Sequence, residues 1–180
     1  MLALWAAWFV SLLLARGWSK PTVRRPAQGD EALYTIVLDA GFILMVAPVF
    51  RALGPRLWSW PPAAAWALVG LAALGLGIGW WARLRLAQNW SWSVTLKESH
   101  EIVDRGPYRV VRHPIYTGLI MAGGATTLLQ AKALSVVGYV AMVVGLLVKA
   151  RLEERFLRAQ LGEAAYDAYA ARTGMLLPKL

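Results

Sequence analysis

Apolar residues in this chain run in long blocks instead of alternating with polar ones. Five blocks stand out, at residues 1–15, 32–50, 57–82, 114–131 and 133–148. Four of them contain no charged residue, and the second contains only Asp39. A helix that crosses the hydrocarbon core of a bilayer needs about 20 residues, within a range of roughly 17–25. The third block exceeds that length, the second and fourth meet it, and the first and fifth are short. The fifth can continue as helix past Lys149, its long basic side chains reaching back to the interface. The pattern therefore predicts an all-α integral membrane protein of about five transmembrane helices in one domain over 1–180. The first three spans fall in 1–82, a polar cytosolic loop in 83–113, spans four and five in 114–148, and C-terminal cytosolic helices in 149–180.

The charge map follows the same division. Five spans put the 1–2 and 3–4 connections and the tail on one side, with every basic residue except Arg51, Arg56 and Lys132 out of 19. Basic residues gather on the cytoplasmic face of membrane proteins, so that side is assigned to the cytoplasm. In a bacterial chain this is the inner membrane. Trp18, Trp80 and Trp81 then lie near inner ends of spans, and Trp58 and Trp60 near an outer end, as interfacial belts require. Trp66 lies deeper. Pro61 and Pro62 suit the first turn of the third helix, where a missing N–H is least felt. Gly70, Gly75, Gly77 and Gly79 in the third span, and Gly118, Gly123 and Gly124 in the fourth, permit close helix packing. The opening residues carry neither a basic n-region nor a small-residue cleavage site, so no signal peptide is expected.

Composition narrows the chemistry. The apolar fraction is 58%, above the roughly 45–50% of soluble domains. With no cysteine, disulfides, thiolate metal sites and thiol nucleophiles are excluded. His100 and His113 are not spaced as a zinc-binding HExxH pair, and no metal is expected. The net charge of +9 is accounted for by membrane orientation and attraction to anionic lipid, so no nucleic-acid partner is inferred.

The polar stretch 83–113 is the longest, and a loop of that length in a small membrane protein is more often functional than idle. VTL and EIV within it are β-favouring, DRGPY has turn chemistry, and Pro114 opens the next helix. That places Arg112 and His113 at the mouth of the fourth span. The tail reads as helix, KARLEERFLRAQ and then EAAYDAYAAR, divided at Gly162. Glu154 and Arg158 form an i,i+4 pair, and Arg151 and Arg155 a repulsive one. Taken alone, Glu153, Glu154 and His100 read as solvated polar positions. Asp39 has two equal readings: an acidic residue inside a span is costly and often functional, but one this near the cytoplasmic end can equally bond to a neighbouring helix.

HEIVDRGPYRVVRHPIYTG, followed by EERFLRAQLGEAAYDAY, resembles the isoprenylcysteine carboxyl methyltransferase family and the related phospholipid methyltransferases. The shared pattern is H-x-x-V, G-P-Y, R-H-P-x-Y-x-G, then paired glutamates ahead of G-x-x-x-Y-x-x-Y. The likeness covers roughly residues 80–175. It implies a small helical membrane enzyme that uses S-adenosylmethionine and a lipophilic or prenylated acceptor, such as the carboxylate of an isoprenylated cysteine. It also implies a cofactor site between the RHP loop and the C-terminal helices. Matched by position, His100, Val103, Tyr108, His113, Tyr116 and Glu153 or Glu154 correspond to cofactor contacts. Lys149 or Arg151 corresponds to the basic residue that meets the substrate.

The residue types suit that chemistry. Aromatic faces at Tyr108 and Tyr116 can stabilise a sulfonium cation without neutralising it. A carboxylate acceptor is already ionised at neutral pH and needs no base. An amine or hydroxyl acceptor would need one, and His113 or Glu154 would then be the candidate. The alternatives are a nicotinamide-dependent membrane reductase of sterol-reductase-like architecture and a non-catalytic membrane scaffold.

Overall fold

The computed structural model describes residues 1–14, 22–24, 28–47, 54–86, 96–97 and 102–179. Among them are six α-helices: α1 Leu2–Leu14, α2 Gln28–Val46, α3 Pro62–Leu86, α4 Pro114–Gln130, α5 Ala133–Leu161 and α6 Glu163–Arg172. A short antiparallel ribbon pairs β1 (Thr22–Arg24) with β2 (Leu96–Lys97), and one 3-10 turn covers Gly106–Arg109.

Local signals set the helix ends. Proline begins α3 and α4, where its lost N–H has no intrahelical partner in any case. Helix α4 stops at Ala131, whose φ of 56° is left-handed and whose N–H bonds to the Thr127 carbonyl. After Lys132 the chain turns straight back into α5. Leu57 N–H bonds to the Ala131 carbonyl at 2.6 Å and ties the segment before α3 to this turn. Helix α5 runs unbroken to Leu161, and Gly162, with φ of 97°, separates it from α6. The break at Gly162 is the expected one. The continuation of α5 past Lys149 is also as expected, because nothing in VKARLEERFL interrupts helical hydrogen bonding.

Small residues fix the two closest helix seams. Along α2 and α5 the partners run antiparallel, Leu38 beside Gly145, Gly41 beside Met142, and Met45 beside Gly138. A Cβ on Gly41 would stand 2.5 Å from the Met142 nitrogen and 2.9 Å from the Gly138 oxygen, so only glycine fits there. Between α3 and α4 the same role falls to Gly75 and Gly118. Trp8 of α1 lies over Gly79 of α3, and Trp5 Nε1 donates to Thr126 Oγ1 at 3.0 Å. The core between the helices is formed by Trp5, Trp8, Met45, Leu76, Met142 and Leu146 with small residues of α3 and α4.

The outward faces are apolar. Leu14, Ile36, Trp66, Leu74 and Val140 are all exposed large hydrophobic residues. A soluble protein would pay heavily for that surface, whereas a bilayer solvates it. Among the described residues, two helices, α3 and α5, are long and apolar enough to cross a membrane. The architecture is that of an all-α membrane protein.

Candidate functional site

The site forms where the start of α4 meets the polar end of α5. Pro114 sets the first turn of α4, so Arg112 and His113 precede it and Tyr116 follows within one turn. Glu153 and Glu154 stand on the facing turn of α5. His113 Nε2 lies 3.1 Å from Glu154 Oε1 and its Nδ1 lies 3.4 Å from Glu153 Oε2. Tyr116 Oη donates to Glu153 Oε1 at 2.7 Å. The His113 and Tyr116 rings stack with centroids 5.3 Å apart and planes 4° apart. Four residues from two motif segments therefore interlock.

Arg112 extends the group toward α6. Its Nε donates to Glu154 Oε1 at 2.7 Å and its Nη2 to Oε2 at 3.3 Å. Its Nη1 donates to the carbonyls of Ala170 and Thr173. The segment after α6 returns along the loop: Arg112 N–H bonds to Gly174 O, His113 N–H to Met175 O, and Thr117 Oγ1 to Leu176 O. Tyr169 Oη donates to the carbonyl of Tyr108 at 2.8 Å, clamping the 3-10 turn on α6. Arg172 and Asp104 pair at the surface.

Electrostatics follow from this geometry. Burial works against an imidazolium at His113, but the two glutamates outweigh it and its pKa is raised. Both ring nitrogens face carboxylates, and both can donate only in the protonated form. Burial likewise opposes the Arg112 charge, and hydrogen bonding to Glu154 more than offsets it. Burial, reinforced by Glu153 and Tyr169, keeps the Tyr108 phenol protonated. Tyr169 is pushed up to about 12, mainly by burial.

Lys149 sits one turn before Glu153 on the same face of α5. Its Nζ lies 5.6 Å from the Tyr116 ring centroid and 5.8 Å from that of Tyr34 in α2. Arg151 points elsewhere. Two residues of helix turn it roughly 200° away, where it lines an open cleft of about 480 Å³ with Glu154, Arg155, Arg158 and Tyr166. Of the two expected substrate cations, the structure brings Lys149 to the Tyr116 and Glu153 side of the group and Arg151 to a cleft on the Glu154 side.

The other expected positions divide. Tyr108 is buried beneath α6, and Val103 is half-buried ahead of the GPY turn. His100 lies outside the described residues. The expected Glu154–Arg158 pair does not form. Glu154 turns to Arg112 and His113, and Arg158 is taken by Asp167 at 2.8 Å. Asp39 is exposed on α2. Sequence reasoning gave no role to Arg112, Tyr169 or Tyr34. Arg112 and Tyr169 belong to the quoted motifs and were open to detection, but no motif marks Tyr34.

A family profile described as isoprenylcysteine carboxyl methyltransferase matches residues 68–159, and the chain belongs to that family. It is similar to methanethiol S-methyltransferase 2 of Bradyrhizobium diazoefficiens, 28% identical over 157 residues, which is 81% of this chain and 58% of the relative. It is also similar to a methanethiol S-methyltransferase of a Pseudomonas strain, 34% identical over 89 residues, 49% of this chain and 33% of the relative. The chain thus spans between a third and three-fifths of the length of these curated relatives.

The donor set fits the methyl donor common to methyltransferases. Two carboxylates one-fifth exposed, at Glu153 and Glu154, can accept from an ammonium or ribose hydroxyl. A tyrosine ring can stabilise a sulfonium, and of the two expected for it Tyr108 is buried and Tyr116 half-buried.

Proposed function

We propose that this protein transfers a methyl group from S-adenosylmethionine to a small lipophilic thiol at the cytosolic edge of the membrane. The observation that carries the reading is the interlocking of His113 and Tyr116 with Glu153 and Glu154. The two halves of the family pattern meet at one spot, on the polar end of an apolar bundle. The donor's sulfonium supplies an electrophilic methyl group. The chain's own residues bind, align and exclude water, and alignment alone is worth about 7–11 kcal/mol in favourable cases. Glu153, Glu154, Tyr108, His113 and Tyr116 hold the donor, joined by His100 and Val103. Lys149 faces the acceptor, where an ammonium favours an anionic nucleophile.

The relatives' names support a thiol. The second reading is the carboxylate of an isoprenylated cysteine, favoured by the family's own description and by the same ammonium, which would hold either anion. Membership of the family and the clustered site support neither the nicotinamide reductase nor the scaffold. In this reading α1 to α5 are the five spans, the basic side faces the cytoplasm of a bacterial inner membrane, and the acceptor enters from the bilayer.

The test is twofold. Isothermal titration of the purified protein with S-adenosylhomocysteine is expected to show one-to-one binding. Labelled S-adenosylmethionine is then offered with methanethiol, a longer alkanethiol or S-farnesylcysteine. Label in the thiols supports the favoured acceptor, and label only in the farnesylated carboxylate supports the second. No binding and no transfer overturn the function.

A further inference from the structure

A carboxylate acceptor arrives ionised, but a thiol must lose a proton before or during attack. The α4–α5 cluster is poorly suited to take it. Glu154 is held by Arg112 and His113, and Glu153 by Tyr116 and His113. A base is more effective when it has a free acceptor position within reach of the proton.

Such a group lies on α2, outside the segment matched by the family profile. The face of α2 that packs on α5 is read off the seam at Leu38, Gly41 and Met45. Continued toward the start of the helix at helical spacing, that face carries Tyr34 and then Glu31. Tyr34 is 4% exposed and packs with Leu152 and Phe156. Its ring lies against the Lys149 ammonium. One turn further, Glu31 Oε1 is buried and, among the described residues, accepts no hydrogen bond. A buried carboxylate oxygen without a donor is disfavoured by about 1–3 kcal/mol or more, so its presence asks for an explanation. Among the groups acting on Lys149 are Tyr116 from α4, Glu153 from α5, and Tyr34, Glu31 and Asp39 from α2. Asp39 is exposed, and Glu153 is engaged by Tyr116 and His113.

We infer that Glu31 is the general base for a thiol acceptor, working beside Lys149 in a site completed by α2. This rests on the methyl-transfer reading. The acceptor S–H bond breaks and its proton passes to Glu31 Oε1. The sulfur's electron pair forms the new S–CH3 bond, while the donor's C–S bond breaks and leaves its pair on the donor sulfur. The products are a methyl thioether, the neutral donor thioether and a protonated Glu31. Lys149 offsets the negative charge that develops on the acceptor sulfur. Tyr34 keeps the ammonium in place through its ring face.

The experiment compares wild type, Glu31→Gln and Asp39→Asn in the full chain, with methanethiol and S-farnesylcysteine as acceptors, from pH 6 to pH 10. S-adenosylhomocysteine affinity is measured for each protein to show that the fold and donor site persist. Glu31→Gln is expected to lose about 10²-fold or more in kcat/KM for the thiol at pH 7. It should regain activity as pH rises and solvent supplies the thiolate, with any carboxylate methylation unchanged. Asp39→Asn should follow the wild-type profile. An unchanged Glu31→Gln, or one reduced equally at every pH and for both acceptors, overturns the base and leaves the methyltransferase reading intact. Wild type that methylates only the carboxylate overturns the base together with the thiol acceptor, and leaves methyl transfer itself standing. Wild type that binds no donor overturns both.

Discussion

Arg112 and Glu154, 42 residues apart in the chain, meet through two parallel hydrogen bonds of 2.7 and 3.3 Å. The same guanidinium holds the carbonyls of Ala170 and Thr173, so one side chain joins the start of α4, the end of α5 and the segment after α6. Lysine can form neither the paired contact nor the fork. Arg112→Lys is expected to destabilise the protein by about 2 kcal/mol, since both partners are largely shielded. Thermal unfolding in detergent measures this. Limited proteolysis should show α6 released before the rest of the bundle.

Tyr116→Phe removes only the hydroxyl that donates to Glu153. The ring stays stacked on His113, but the carboxylate loses a charge-assisted bond. S-adenosylhomocysteine should bind about tenfold more weakly, or roughly 1.4 kcal/mol. Calorimetric titration reads this directly, and an unchanged affinity would separate Tyr116 and Glu153 from the donor site.

His113 gives a pH dependence with a definite sign. Its folded pKa is raised above the ordinary 6.5 by Glu153 and Glu154 despite burial. The folded form therefore holds its proton more tightly than the unfolded one. The stabilisation is full below pH 6.5 and is lost as pH climbs through the folded pKa. Melting temperature should fall over that window, by about 2–4 °C for each kcal/mol lost. His113→Gln should flatten the profile there.

Gly41 and Gly77 make a paired test of the seams. Gly41→Ala drives a methyl group into the backbone of α5 at Met142 and Gly138, whereas a Cβ at Gly77 meets nothing within 4 Å. The first should cost about 1–3 kcal/mol and the second nothing. Because the α2–α5 seam also sets Tyr34 against Lys149, Gly41→Ala should lower thiol methylation more than donor binding.

The contrast between those seams and the motif segments explains what the sequence made legible. The apolar blocks announced the helices, and Pro114 announced the start of α4, because both are local properties. The RHP segment and the paired glutamates were recognisable as a pattern, and their contacts on α4 and α5 follow from it. Which of Lys149 and Arg151 faces the group depends on helical phase, and the seam at Gly138, Met142 and Gly145 supplies that phase once the partner helix is known. Tyr34 and Glu31 stayed silent because their placement depends on the α2–α5 register, a relation between distant segments with no motif. The return of residues 173–176 along 110–117 was equally hidden, since main-chain bonding leaves no signature in residue type.

Helix α5 passes without a break from the glycine seam to the two glutamates. A single residue inserted between Gly145 and Lys149 would rotate everything downstream by about 100° and advance it about 1.5 Å. The ammonium would leave its tyrosines and both carboxylates would swing away from His113, with every side chain still present. That stretch therefore has a fixed length as well as a composition, tolerant of exchange at single positions but intolerant of insertion or deletion.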